Sequence, residues 1–189
     1  KPMYLSISDL KGFEGMLKII GFSFLNNIGL IPTARGTANT ALFNYNNRSF
    51  ALHEGDMPYE IKIDYDNKFI DTISQLNING IKSITAHPKV DNFNKDKIYM
   101  YGYNSYDFMN GMFYNNIFDK NFSLIERNHY SLINNGIIHD IAQTDNNLII
   151  PDLPLKCDFN KILLGEIPLY FDKNGTSRIG AISKKDKNI

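Results

Sequence analysis

Apolar and polar residues alternate with a period of two through most of this chain. Tyr59, Ile61, Ile63 and Tyr65 are separated by Glu60, Lys62 and Asp64, the pattern of a strand with one buried face. Residues 41–45 and 49–53 repeat the pattern on either side of Asn46-Asn47, a pair that tolerates the positive φ of a tight hairpin turn. The same reasoning predicts strands over 69–74, 83–86, 97–103, 111–118, 122–127, 137–143, 147–151 and 178–183. Turn-forming residues punctuate them at Asp66-Asn67, Asn79-Gly80, Asn92 to Asp96, Asp119 to Asn121, Asn134 to Gly136, Asp145 to Asn147 and Lys173 to Gly175. Many short strands with few long helices imply an all-β fold, as a sandwich, a barrel or a propeller.

One stretch departs from this pattern. Residues 10–30 are apolar and aromatic, and Phe13, Met16, Leu17 and Ile20 follow the i, i+3, i+4, i+7 spacing of a helix face. Such a face either packs on a core or lies at a surface, where it dips into a membrane or lines an apolar entrance.

Composition narrows the function classes. Twenty basic and twenty acidic residues give a formal charge of zero, which argues against a general nucleic-acid binder. No run reaches the roughly 18 apolar residues of a transmembrane helix. Cys157 is the only cysteine, so no internal disulfide forms, which fits a reducing compartment. The chain starts at Lys1 without a visible signal peptide, and it reads as a fragment of a longer protein. With 24 asparagines, the three Asn-X-Ser/Thr matches at Asn47, Asn121 and Asn174 are expected by chance.

The chemistry concentrates at two histidines. His87 lies in Thr85-Ala86-His87-Pro88-Lys89-Val90-Asp91, and His139 lies 52 residues later in His139-Asp140-Ile141-Ala142-Gln143-Thr144. Residues so far apart cannot chelate locally, so only tertiary structure could join them into a metal site. Neutral imidazole suits iron, zinc, copper or nickel. Propeller blades of roughly 40–50 residues would bring equivalent inner-strand positions of neighbouring blades to one axis. A liganding histidine also needs its second nitrogen held by a carboxylate or carbonyl, and Glu54, at a strand end, is a candidate. His53 and His129 read as packed or solvated side chains. Asp56, Asp91 and Asp140 read as hydrogen-bond acceptors at turns and strand ends. There is no Gly-rich phosphate loop and no Ser or Cys nucleophile motif.

Five blocks, in order, resemble the carotenoid cleavage oxygenase family. They are Gly36 to Thr40, Ala51 to Tyr59, Thr85 to Asp91, His139 to Thr144 and Tyr170 to Gly180, with agreement in spacing over residues 22–184. Plant-type members look most similar. The resemblance implies a seven-bladed β-propeller with a helical cap, of which this chain would hold about three blades in residues 37–189 and an apolar cap or entrance segment in 1–36. It implies iron(II) held by four histidines, with His87 and His139 matching the first two and Glu54 matching a glutamate that orients a liganding histidine. The third and fourth histidines would lie beyond Ile189. Ile141 and Gln143 depart from the family's Phe and Ile.

The implied substrates are O2 and an apolar polyene, a carotenoid or apocarotenoid cleaved oxidatively at a conjugated C=C bond, with possible peripheral membrane contact through residues 10–30. A soluble or peripheral membrane location, in cytoplasm or plastid, is compatible. Other readings are a retinoid isomerohydrolase, a non-catalytic carotenoid-binding or vestigial member, and a site of His87, His139 and a carboxylate from this chain alone.

Overall fold

The computed structural model describes residues 13–15, 17, 18, 21, 37–81, 83–103, 111–134, 136–158, 160–163, 166 and 169–185. Most of the predicted apolar segment 10–30 lies outside these residues. Residues 13–15, 17, 18 and 21 are helical, with Phe13 and Leu17 exposed and Glu14 paired to Lys18 one turn on. Among the described residues no helix is long and apolar enough to cross a membrane.

The chain divides into two compact units, one of Lys1–Arg35 and Leu155–Asn174, the other of Gly36–Pro154 and Gly175–Ile189. The larger unit is built from antiparallel sheets. The first is a four-stranded meander of β1 (Ala41–Tyr45), β2 (Arg48–Leu52), β3 (Tyr59–Asp64) and β4 (Phe69–Gln75). Asn46 and Asn47 both take positive φ, 50° and 59°, so the hairpin joining β1 to β2 is the one their side chains favour. The second meander comprises β5 (Lys89–Val90), β6 (Ile98–Gly102), β7 (Met112–Phe118) and β8 (Leu124–Ser131). In the third sheet β10 (Asn147–Asp152) sits between β9 (Ala142–Gln143) and β13 (Arg178–Ser183).

The second sheet has a core on each face. Ile98 and Met100 join Phe50, Leu52, Ile84 and Phe118 on one side. Tyr99 and Tyr101, the intervening residues, join Phe113, Ile138, Leu148, Ile150 and Ile182 on the other. Every residue of β6 is therefore buried. Its unbroken apolar run, Ile98-Tyr99-Met100-Tyr101, is the signature of a strand covered on both faces. Full burial of each large side chain contributes about 1.5–3 kcal/mol, so these stacked layers dominate the unit's stability.

The smaller unit contains the hairpin of β11 (Leu155–Cys157) and β12 (Leu169–Phe171), with a single helical turn, Asn160–Leu163, between them. Lys156 Nζ lies 2.7 Å from Asp172 Oδ2. This hairpin is absent from the periodicity reading, because three-residue strands are too short to show alternation.

Three predicted strands change. Residues 83–86 run extended and buried beside β6 but form no ladder. Only Thr85 N–H reaches β6, donating to the Tyr101 carbonyl at 2.7 Å, while Ser83 Oγ donates to the Tyr103 carbonyl. Of predicted strand 137–143, only 142–143 pairs as a strand, because tyrosine hydroxyls take the backbone groups before it. The strand predicted over 122–127 is Leu124–Ser131, since Phe122 has a φ of 64° and belongs to the turn.

Candidate metal centre

Glu54, His87 and His139 come from three separate irregular segments of the larger unit. Glu54 follows β2 in a turn where Asp56 N–H donates to the His53 carbonyl, and Gly55 N–H donates to His53 Nδ1. His87 precedes β5, its N–H donating to Thr85 Oγ1 at 2.8 Å. His139 precedes β9 in a stretch held by Tyr101 of β6 and by Tyr103 just beyond that strand. The Tyr101 hydroxyl donates to the His139 carbonyl, and Ile138 N–H donates to the Tyr103 hydroxyl at 2.8 Å.

The three side chains converge. One ligand atom from each lies within 4.8 Å of the others, and the two imidazole rings are 4.8 Å apart at 75°. Donors around one first-row divalent ion span about 4.0–4.4 Å at most, twice a bond of 2.0–2.2 Å, so the cluster has nearly the width such an ion needs. Glu54 Oε1 lies 2.8 Å from His139 Nδ1 and 4.0 Å from His87 Nε2. The shorter approach falls outside hydrogen-bond geometry. Glu54 Oε1 and His87 Nε2 are both buried atoms without a hydrogen-bond partner among the described residues. Each such atom costs about 1–3 kcal/mol unless something satisfies it; a cation on the imidazoles answers the His87 nitrogen directly and polarises the His139 Nδ1–H that faces the carboxylate. The donor set therefore fits a divalent metal.

Glu54 faces Nδ1 of His139, which leaves that ring's Nε2 for a ligand. Thr40 Oγ1 donates to the other carboxylate oxygen, Oε2, at 3.4 Å. His139 is the exposed member of the three, its side chain 69% accessible. His53 and His129 stand outside the cluster, the first in its turn and the second against the Tyr114 ring.

Several residues that periodicity left unremarked hold the two histidine segments together. Lys89 Nζ pairs with Asp140 Oδ1 at 2.8 Å, and Gln143 Nε2 donates to the Val90 carbonyl at 2.7 Å. Gln143 Oε1 accepts from Lys184 Nζ, so this departure from the family pattern has a polar partner, while Ile141 is buried in the core. Burial pushes the Tyr101 and Tyr103 hydroxyls well above the usual phenol range, which keeps both neutral. A signal for these tyrosines is visible in the sequence. Tyr99, Tyr101 and Tyr103 alternate, so all three face the same side of one strand.

Residues 21–189 match the sequence profile of the family described as retinal pigment epithelial membrane protein. The chain belongs to this carotenoid cleavage oxygenase superfamily. Among superfamily members, a chloroplastic 9-cis-epoxycarotenoid dioxygenase of Arabidopsis thaliana is 29% identical over 186 residues, which cover 95% of this chain and 31% of the relative. A carotenoid 9,10(9',10')-cleavage dioxygenase of Pisum sativum is 28% identical over 98% of this chain and 35% of its own length. The chain thus spans about a third of the curated superfamily relatives it matches.

Two solved structures of the superfamily share the fold. Lignostilbene dioxygenase of Pseudomonas brassicacearum superposes with a TM-score of 0.68 at 18% identity, over 82% of this chain and 32% of that one. Cobalt-substituted apocarotenoid oxygenase of Synechocystis superposes with a TM-score of 0.62 at 18% identity, over 80% and 33%. The stacked antiparallel sheets are accordingly a β-rich fold related to the superfamily's propeller.

Proposed function

We propose that this chain supplies two of the four histidine ligands of a non-haem iron(II) dioxygenase that cleaves a conjugated C=C bond of a carotenoid or apocarotenoid with O2. The observation that carries this reading is the convergence of His87, His139 and Glu54, with His87 Nε2 and Glu54 Oε1 buried and without a hydrogen-bond partner among the described residues. In this reading the three larger sheets are about three blades of a seven-bladed propeller, and residues 1–36 form an apolar cap or entrance. Peripheral membrane contact through residues 10–30 belongs to the same reading.

His87 Nε2 and His139 Nε2 would hold the metal, and Glu54 would orient the His139 ring through Nδ1. Bound iron(II) would supply the activation of O2. This chain's own part is geometric. Two imidazoles supply uncharged donors, and a carboxylate beside one of them would orient its ring. No acid–base pair or nucleophile is required. With Oε2 engaged by Thr40 and Oε1 turned to His139, Glu54 fits an orienting role better than a third ligand.

The test is to express the complete reading frame, measure iron per protomer, and assay apocarotenoid release under O2. We expect about one iron per protomer, lost in His87→Ala and His139→Ala together with product formation. Iron retained in both variants would sink the ligand assignment. A protein that binds carotenoid without iron or turnover would instead be a non-catalytic member of the superfamily. Flotation with liposomes, with and without residues 10–30, checks the membrane contact.

A further inference from the structure

We infer that Tyr101 and Thr85 form a single hydrogen-bonded strut that sets the separation of His87 and His139, which makes them positioning residues for the metal centre. The inference rests on the metal-site reading above. It adds a mechanism for holding two ligands from segments that lead into different sheets.

The strut can be followed atom by atom. His87 N–H donates to Thr85 Oγ1 at 2.8 Å. Thr85 N–H in turn donates to the Tyr101 carbonyl at 2.7 Å. The Tyr101 hydroxyl donates onward to the His139 carbonyl. Tyr101 therefore grips the His87 segment through its main chain and the His139 segment through its side chain. It is 1% exposed and Thr85 3%, so water does not compete for these bonds. The Tyr101 ring is packed among Phe113, Ile138 and Leu148, which leaves its hydroxyl little freedom to follow a displaced partner.

Among the described residues the other ties between the two histidine segments attach further along the chain, with Gln143 Nε2 donating to the Val90 carbonyl three residues past His87. The Lys89–Asp140 pair bridges their neighbours, but both partners are partly or largely exposed, and surface pairs contribute at most about 1 kcal/mol. Tyr103 reaches the His139 side through Ile138 N–H, and Ser83 Oγ ties its carbonyl to the segment before Thr85. The strut works through backbone groups next to each ring, so its loss would change where the imidazoles sit and leave their chemistry intact. Partners that orient metal ligands typically change affinity about ten- to a hundredfold when removed.

Cobalt(II) titration of the complete gene product tests this, because the visible spectrum of the ion reports its ligand geometry independently of turnover. Tyr101→Phe keeps the ring and deletes one hydroxyl. We expect cobalt(II) affinity to fall about tenfold or more, with a shifted and broadened visible band. Tyr99→Phe is the control. It deletes a buried hydroxyl on the same strand, one bonded to Asp91, four residues beyond His87 and clear of the Thr85–His87 contacts, and should leave affinity and spectrum unchanged. Thr85→Val should reproduce the Tyr101→Phe spectrum, and Thr85→Ser should restore the parent one. This second pair keeps the question answerable if Tyr101→Phe folds poorly.

Parent-like affinity and spectrum in both Tyr101→Phe and Thr85→Val would overturn the strut and leave the metal site standing. An equal loss in Tyr99→Phe would also overturn it, because core stability alone would then explain the effect. Failure of the parent protein itself to bind cobalt(II) overturns the metal-site reading, and the strut with it.

Discussion

Asp91 shows how one carboxylate can organise a loop and make the fold sensitive to acid. Burial alone would push its carboxyl up. Backbone N–H groups of Asn94 and Phe93, the Tyr99 hydroxyl and Lys184 outweigh that effect and hold it at about 2, against an ordinary 3.8. A depressed carboxylate pKa stabilises the fold at every pH above the unfolded value. That stabilisation is lost as pH falls from about 4 towards 2, and a shift of this size corresponds to roughly 2 kcal/mol. Urea midpoints measured between pH 2.5 and 6 should therefore drop for the parent protein and drop less steeply for Asp91→Asn. Equal slopes would show that the acid sensitivity arises elsewhere.

The acceptor roles of Asp56, Asp91 and Asp140 were legible in the sequence. Each follows or precedes turn residues, and each accepts a backbone N–H within three positions of itself. What stayed hidden was Lys184. It is drawn to Asp91 from 93 residues away at a distance of 3.2 Å, a contact that only the tertiary fold creates.

At the scale of elements, local chemistry succeeded where a strand pairs through its own turn and failed where side chains replace a ladder. The β1–β2 hairpin is specified by alternation and by two asparagines suited to left-handed φ. Residues 83–86 and 137–141 look equally strand-like, yet their backbone groups meet Asp56, Tyr101, Tyr103, Tyr114 and Asp140. No periodicity encodes that substitution. Gly102 belongs to the same arrangement. A Cβ there would stand 2.6 Å from the Ser83 carbonyl oxygen and 2.9 Å from the Tyr114 ring. Backbone cannot yield as a flexible side chain can, so Gly102→Ala should push residues 83–85 off β6 and destabilise the unit by about 1–3 kcal/mol. Denaturant unfolding measures the loss. The same variant should weaken metal binding, since Thr85 sits in the displaced segment. An alanine variant as stable as the parent would show that the strand and loop are not in close contact there.

Across the larger unit, alternation reveals which residues share a face but not how successive sheets are stacked. Periodicity alone left sandwich, barrel and propeller open, and the blocks shared with the superfamily supplied the architecture. The physical consequence of the stacking is that the second sheet separates two cores. Ile98 is fully buried in the core shared with β2, and Ile150 is buried in the core shared with β7, β10 and β13. They touch different neighbours on opposite faces of β6. Ile98→Val and Ile150→Val should each cost about 0.5–1.5 kcal/mol. Because the residues share no cluster, the double variant should equal the sum to within about 0.5 kcal/mol. Urea unfolding of the two single variants and the double variant gives the coupling directly. A larger coupling would mean that strain passes through β6 from one core to the other. Moving either core would then also move the Tyr101 backbone, and the two histidine segments could not be held independently of the packing around them.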